Sequence, residues 1–201
     1  MTTAIITGAS VGIGLETAKG LAKKGFDLIL VSRNIEKLKL IKNNLENNFN
    51  ISCNVYGYDL SLIKSNIEFY NQIIKSHQNI DVLINNVGAI FMDRTVTSEG
   101  IEKTFALNHM SYFTLSKLFS ESFSKLRIIN VSSEAHRAIK LKINDFQNSQ
   151  MYYGWHAYKR SKLANIYLTY ELAKKYEDKD ITVNCLHPGL VNSDFANNNS
   201  L

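Results

Sequence analysis

The sequence predicts an α/β fold, a doubly wound parallel sheet of about six strands with helices on both faces. Three observations carry that expectation. A β-prone apolar run, Ala4-Ile5-Ile6, enters the glycine turn Thr7-Gly8-Ala9-Ser10-Val11-Gly12-Ile13-Gly14 and leaves it into a helix-patterned run with Leu15, Ala18, Leu21 and Ala22. Strand-like runs then alternate with helix-patterned stretches along the chain, the order that builds βαβ units with right-handed crossovers. Finally, a polar cluster follows the end of each strand-like run, as at the ligand-binding edge of an open α/β sheet.

The elements follow in order. Residues 3–7 read as the first strand and 12–24 as a helix ending at Gly25, a plausible residue for a left-handed C-terminal cap. Asp27-Leu28-Ile29-Leu30-Val31 is a continuous apolar run, as expected for a strand buried on both faces, and it ends in Ser32-Arg33-Asn34. A helix with Ile35, Leu38, Ile41 and Leu45 on one side comes next. A third strand near Ile51–Tyr58 ends in Asp59-Leu60, and a helix runs to about Ser76. Asp81–Ile84 is the fourth strand, followed by Asn85-Asn86-Val87-Gly88. A long helical region is expected over Thr97–Lys125, a fifth strand over Leu126–Val131, a helix over most of Met151–Tyr176 and a sixth strand over Ile181–Leu186, broken by Pro188-Gly189. Residues 1–195 read as a single domain and 196–201 as an Asn-rich tail.

Composition narrows the function classes. The chain has 201 residues, enough for one domain with a substantial core, and 45% hydrophobic with 20% charged residues suits a globular protein rather than a disordered one. The net charge of +5 is spread along helix-patterned segments, which reads as solvated helix faces and not as a nucleic-acid site. No apolar run approaches the length of a membrane span and the first strand starts almost at once, so neither a membrane span nor a leader is expected and the expected location is cytoplasmic. Cys53 and Cys185 lack metal-type spacing and read as buried thiols. No cluster of His, Cys, Asp and Glu has the spacing of a metal site.

The glycine turn reads as a pyrophosphate-binding loop, with a glycine-rich turn of some other α/β protein as the alternative, since its spacing is G-x-x-x-G-x-G and not G-x-G-x-x-G. Gly8 lets the chain turn sharply, Gly12 lets backbone approach phosphate, and Gly14 lets the helix pack closely; the helix then aims its unpaired N–H groups at the anion. At the end of the second strand an acidic residue would bind ribose hydroxyls of NAD. Here Ser32 and Arg33 stand instead, a hydroxyl and a guanidinium that suit a 2′-phosphate, so NADP(H) is expected over NAD(H). The alternative is that Arg33 is a solvated turn residue. On a helix, Tyr158 and Lys162 are i and i+4 and share one face. A nearby ammonium favours phenolate and lowers a tyrosine pKa, which equips the phenol for acid–base work.

On these residues the chain resembles the short-chain dehydrogenase/reductase superfamily, with its Rossmann-like fold. The resemblance rests on T-G-x-x-x-G-I-G at Thr7–Gly14, D-L at Asp59-Leu60, N-N-x-G at Asn85–Gly88, the Asn within Leu107-Asn108-His109, Ser132-Ser133, Y-x-x-x-K at Tyr158–Lys162 and Pro188-Gly189. The runs Arg127–His136, Ser161–Asn165 and Asn184–Gly189, with the 25-residue spacing from Ser133 to Tyr158, resemble its retinol-dehydrogenase-like branch, which includes the WW-domain-containing oxidoreductase. The resemblance implies a catalytic set of Asn108, Ser133, Tyr158 and Lys162. Tyr158 exchanges a proton with the carbonyl or alcohol oxygen and Ser133 hydrogen-bonds that oxygen. Lys162 binds the nicotinamide ribose and holds the tyrosine pKa down, and Asn108 anchors a water that links Lys162 to solvent. It also implies NADP(H) contacts from Gly8, Ser10, Gly12, Ile13, Gly14, Ser32, Arg33, Asp59, Leu60, Asn85, Gly88, Tyr158, Lys162, Pro188, Gly189 and Ser193. Asp59 would meet the adenine, Asn85 would lie against the adenosine ribose, and Pro188, Gly189 and Ser193 would border the nicotinamide.

Val87 stands where the family usually has Ala, and Ser193 where it usually has Thr. Tyr152, Tyr153, Trp155 and Tyr167 read as helix core or helix–helix contact ahead of a substrate pocket, and His136 and His187 receive no catalytic role. Family members continue with a substrate-covering loop and helix and a seventh strand, whereas this sequence stops eight residues after Ser193, so strand six is expected at a sheet edge that favours association, and a homo-oligomer is a possible outcome. Two functions follow: an NADP(H)-dependent oxidoreductase acting on a small-molecule carbonyl or alcohol, retinoids and other lipophiles included, or a non-catalytic dinucleotide-binding or regulatory protein. A complete Asn108, Ser133, Tyr158 and Lys162 set favours the enzyme.

Overall fold

A computed structural model of the chain describes residues 2–189; Ser193 and the Asn-rich tail lie outside them. Six parallel strands form one sheet: β1 (Thr3–Thr7), β2 (Asp27–Ser32), β3 (Cys53–Gly57), β4 (Val82–Asn85), β5 (Lys125–Val131) and β6 (Asp180–Leu186), in the spatial order β3-β2-β1-β4-β5-β6. The order reverses between β1 and β4, so the loops leaving these two neighbours diverge and open a crevice at their carboxyl ends. Among the described residues, β3 and β6 form the two edges of this sheet.

Strand alternation sorts the apolar residues into two layers. Ala4, Ile6, Leu28, Leu30 and Ile84 face α1 (Gly12–Ala22) and α2 (Ile35–Asn48), packing with Ala18, Ala22, Leu38 and Leu45. Ile5, Ile29, Val31, Leu83, Ile128 and Val183 face the other way, toward α3 (Ile63–Ser76), α5 (Ser111–Ser122) and α6 (Gly154–Lys175). There Phe69, Ile73, Tyr112, Leu115, Phe119, Leu168 and Tyr176 complete a larger core. The apolar content of β1 and β2 reflects this double burial.

The long helix expected over Thr97–Lys125 is three pieces. Thr97–Ile101 is a turn with Gly100 at φ +79°, closed by a Thr97 N–H bond to the Ile101 carbonyl. Glu102 then starts α4 (Lys103–Phe105), its carboxylate accepting from the Thr104 and Phe105 N–H groups at 2.7 and 2.9 Å. A π-helical turn at Ala106–Met110 joins α4 to α5. Glu99 reaches away from the turn to cap α3, accepting from the Ile63 and Lys64 N–H groups at 2.6 and 2.9 Å, because Leu62 at the N-cap has no side-chain acceptor. Two 3₁₀ turns, Glu134–Ala138 and Ile143–Asp145, lead from β5 to α6, which starts at Gly154 rather than near Met151. No helix of the described residues is long and apolar enough to cross a membrane.

Candidate active site

The glycine turn takes its shape from β1 and β4 together. Thr7 is buried, and its Oγ1 accepts from the Asn86 and Val87 N–H groups at 2.9 and 3.0 Å while Asn86 Nδ2 donates to the Thr7 carbonyl at 2.8 Å. The segments leaving neighbouring strands are thereby stitched across the crevice. Gly8 and Gly12 adopt φ +69° and +53°. A Cβ on Gly14 would lie 2.4 Å from the Gly8 carbonyl oxygen, so only glycine lets α1 start this close to the loop. α1 opens with no side-chain cap and no acidic residue in its first turn, and Ser10, Val11, Gly12 and Ile13 are wholly or partly exposed beside it. An uncapped eleven-residue helix behind a glycine turn suits an anion, and the cradle fits the pyrophosphate of a dinucleotide.

Along the same edge, Ser32 ends β2, mostly buried, and Arg33 projects into solvent beside it. Asp59 is half-buried, its Oδ1 accepting from Ser61 N–H and Oγ at 3.0 and 2.8 Å. The Leu60 side chain is in the core. Asn85 does not present its side chain to a ribose. It is fully buried, with Nδ2 donating to Ser116 Oγ and to Asn130 Oδ1, both at 2.9 Å. As the last residue of β4 it points into the helix layer, and its neighbour Asn86 takes the place on the crevice side.

The end of β5 organises the second cluster. Three consecutive residues grip α6 in turn. The Val131 carbonyl accepts from Lys162 Nζ at 2.8 Å, Ser132 Oγ donates to the Lys162 carbonyl at 2.8 Å, and the Ser133 hydroxyl is hydrogen-bonded to Tyr158. Tyr158 and Lys162 are both buried, and Lys162 Nζ stands 5.3 Å from the Tyr112 ring centroid and 5.8 Å from that of Tyr158, within cation–π range. Burial pushes the Lys162 ammonium down to about 8 and raises the Tyr158 phenol, the Ser133 hydrogen bond opposing that rise. The expectation of a lowered tyrosine pKa is therefore corrected for the protein alone: desolvation outweighs the Ser133 hydrogen bond, and Tyr158 keeps its proton.

Asn108 sits in the π-helical turn, fully buried. Its Oδ1 accepts from Ala89 N–H at 2.9 Å, and its Nδ2 donates to the Ala89 carbonyl at 2.9 Å and to Ser161 Oγ at 3.1 Å. Its carbonyl accepts from Asn165 Nδ2 at 2.8 Å. The side chain is thus engaged by protein partners at both ends of its amide. What it does is clamp the segment after β4: a Cβ on Gly88 would lie 3.3 Å from Asn108 Oδ1 and 3.4 Å from Lys162 Nζ. Asn108, Ser133, Tyr158, Lys162 and Gly88 come together beyond the crevice from the glycine turn.

At the β6 exit Gly189 has φ +76° and its N–H faces His187 Nδ1 at 3.3 Å. His187 Nε2 lies 3.1 Å from Glu134, which also pairs with Arg137. His136 Nδ1 is 2.6 Å from the Ser133 carbonyl. Tyr153, Trp155 and Tyr167 are exposed, correcting their assignment to the helix core; Tyr152 is instead a latch, donating to the Phe91 carbonyl at 2.7 Å, with Glu102 Oε1 at 3.2 Å and Thr104 Oγ1 at 3.0 Å. Leu163 and Tyr167 line an open cleft of about 860 Å³ with His136, Ile139, Ile143 and Phe146. Among the described residues no group of three or more His, Cys, Asp or Glu is placed to hold a metal ion. The sequence does not single out Ser161 and Asn165 as site residues; for Asn165 the available signal is a stripe of polar positions, 158, 162, 165 and 169, on a helix face that must be buried.

The family model described as short chain dehydrogenase matches residues 2–201. The chain belongs to the short-chain dehydrogenases. Within that family it is similar to the retinol-dehydrogenase-like branch. Retinol dehydrogenase 13 of Homo sapiens is 35% identical over 96% of this chain and 60% of its own length. The WW domain-containing oxidoreductase of Drosophila melanogaster is 35% identical over 98% of this chain and 51% of its own. The chain thus spans between about half and two thirds of the curated relatives it matches. A short-chain dehydrogenase from Sphingobium yanoikuyae, solved in complex with NADPH, shares the fold with a TM-score of 0.83 at 24% identity, over 99% of this chain and 75% of that one.

Proposed function

We propose that this short-chain dehydrogenase transfers hydride between NADP(H) and a carbonyl or alcohol substrate, with Tyr158 as the acid–base group. The observation that carries the proposal is the convergence of a protonated, buried Tyr158, its Ser133 hydrogen bond and the buried Lys162 ammonium on the segment at Gly88, at the same sheet edge as the glycine cradle. The cradle at Gly8, Ser10, Gly12, Ile13 and Gly14 would hold the pyrophosphate. Ser32 and Arg33 would hold the 2′-phosphate, and Asp59 and the Leu60 backbone the adenine end. Gly88, Lys162, Pro188, Gly189 and Ser193 would border the nicotinamide half. When bound, the cofactor supplies or accepts the hydride.

In the reducing direction Ser133 and Tyr158 hydrogen-bond the carbonyl oxygen and fix its distance from the proton donor. As negative charge develops on that oxygen, Tyr158 gives up its phenolic proton and the alcohol forms. The phenolate left behind is stabilised by Ser133 and the Lys162 charge, and a proton from solvent restores it. Oxidation runs the same steps in reverse. The names of the relatives and the apolar cleft along Leu163 and Tyr167 favour a lipophilic substrate, including a retinoid.

A fluorescence titration with NADPH and with NADH tests the cofactor assignment. NADPH is expected to bind at least about tenfold more tightly, and Arg33→Ala to erase most of that preference while leaving NADH unaffected. Equal affinities in the wild type would remove the role of Arg33. Binding without turnover on any aldehyde, ketone or alcohol would favour a dinucleotide-binding protein without catalysis.

A further inference from the structure

The catalytic set assigned above leaves one buried group unused. Asn165 lies on α6, three residues beyond Lys162 and seven beyond Tyr158, on the same inward face, with no exposed surface. Both ends of its amide are engaged by the π-helical turn of the neighbouring helix. Nδ2 donates to the Asn108 carbonyl at 2.8 Å, and Oδ1 lies 2.9 Å from His109 Nδ1.

A π-helical turn bonds i to i+5 in place of i to i+4 and is costly without local support; such turns concentrate at functional sites. Here it sets the rotation of Asn108, whose side chain clamps both backbone groups of Ala89 and touches Ser161. A helix with ordinary spacing would turn residue 108 by roughly a quarter turn, since each α-helical residue accounts for about 100°. The Ala89 clamp would then be lost. The Asn165 amide recognises two consecutive residues of this turn, the carbonyl of one and the ring of the next. Because Oδ1 only accepts, His109 must donate from Nδ1; burial lowers the pKa of the ring against the opposing Asn165 bond, so the imidazole is neutral with its proton on that nitrogen.

We propose that Asn165 is a positioning residue. By holding the Asn108 carbonyl and the His109 ring together it keeps the π-helical turn in register, and through Asn108 it places the Gly88–Ala89 backbone against Lys162. The proposal rests on the oxidoreductase reading for its effect on catalysis, but not for its effect on the turn. Asn165 is itself held from behind. Thr169 Oγ1 donates to the Asn165 carbonyl at 2.7 Å, and Asn130 Nδ2 donates to Thr169 Oγ1 at 2.9 Å. Asn130 Oδ1 accepts from Asn85. The buried Asn85, which does not reach the crevice, thus belongs to the support that ends at Asn108.

The test compares wild type, Asn165→Leu and Thr169→Val, by nitrogen NMR of His109, hydrogen exchange of the Ala89 N–H and steady-state kinetics. Thr169→Val also removes a buried hydroxyl but leaves both ends of the Asn165 amide in place, so it reports what a merely structural defect does. In the wild type His109 is expected as the Nδ1–H form and the Ala89 amide as protected. Asn165→Leu should move His109 to a mixture of both proton forms and speed Ala89 exchange about tenfold beyond any change in global stability. Its kcat should fall by about 10²-fold, as expected from a displacement near 1 Å, with the KM for NADPH within about threefold. Thr169→Val loosens only the backbone behind Asn165, so it should leave His109 in the Nδ1–H form and speed Ala89 exchange by less than Asn165→Leu does; a larger effect than that of Asn165→Leu would overturn the proposal. An Nε2–H form in the wild type overturns the proposal even if the variant fails to fold. Unchanged His109 and Ala89 signals in a folded Asn165→Leu also overturn it, whatever happens to turnover. If the wild type turns over no substrate, the oxidoreductase reading fails, while the two NMR readouts still decide the role of Asn165.

Discussion

Replacing Lys162 by Met removes the buried ammonium while keeping an unbranched side chain of similar length. The ammonium titrates at about 8 in the folded protein against an ordinary 10.5, because burial disfavours its charge. Each tenfold step in proton affinity is worth about 1.4 kcal/mol, so holding the charged form costs the fold about 3 kcal/mol at neutral pH. The direction of the pH dependence follows. Between about 8 and 10.5 the unfolded chain binds the proton and the folded chain does not, so the wild type gains stability as pH rises through that window. Below it, the full cost remains. The Met variant lacks this dependence but shares every other titrating group with the wild type. It also loses the bond to the Val131 carbonyl, which retains Tyr112 OH as a donor at 3.3 Å; that loss is the same at every pH. Urea unfolding of both proteins without cofactor, at about pH 7 and about pH 9.5, reads the difference directly. The stability of the variant relative to wild type should fall by about 2 kcal/mol from the lower to the higher pH. A relative stability that stays constant would refute the argument that Lys162 is held charged at neutral pH against its burial.

Gly14→Ala would press a methyl to 2.4 Å from the Gly8 carbonyl oxygen and 2.6 Å from Asn86 Nδ2. The backbone oxygen cannot swing aside, so thermal unfolding should show a loss of about 1–3 kcal/mol, and NADPH titration should show weakened binding. Gly20→Ala on the same helix meets nothing within 4 Å and should stabilise by about 0.5–1 kcal/mol; a fall in melting temperature there would contradict the packing of α1. Glu99→Ala removes the cap that Glu99 lends to α3 and should cost about 1 kcal/mol in urea unfolding, with NADPH affinity unchanged.

The parts of this molecule legible in the sequence are those whose chemistry is local. The apolar runs of β1 and β2 declare double burial, and the glycine turn declares an anion cradle because its glycines satisfy steric demands of neighbours a few residues away. Tyr158 and Lys162 are paired by helix geometry alone. What escaped depends on contacts between distant segments. Nothing near residue 108 announces a π-helical turn, because the side chain that holds it, Asn165, lies on another helix. The resemblance implies a ligand contact for Asn85; only the position of Asn130 and Ser116 shows that its side chain points inward. The sign of the Tyr158 shift was misread for the same reason. Proximity of a lysine is visible in spacing, whereas burial of the pair is not.

The central claim is that Tyr158 is the proton donor of a working oxidoreductase. A stopped-flow record of NADPH absorbance, with saturating aldehyde or ketone, tests it most directly when wild type and Tyr158→Phe are compared alongside their NADPH affinities. Wild type should consume NADPH, while Tyr158→Phe should bind NADPH within about threefold of wild type and oxidise it at least about 10²-fold more slowly, the scale of a lost acid–base group. Equal rates in the two proteins, with the phenol gone, would contradict the account.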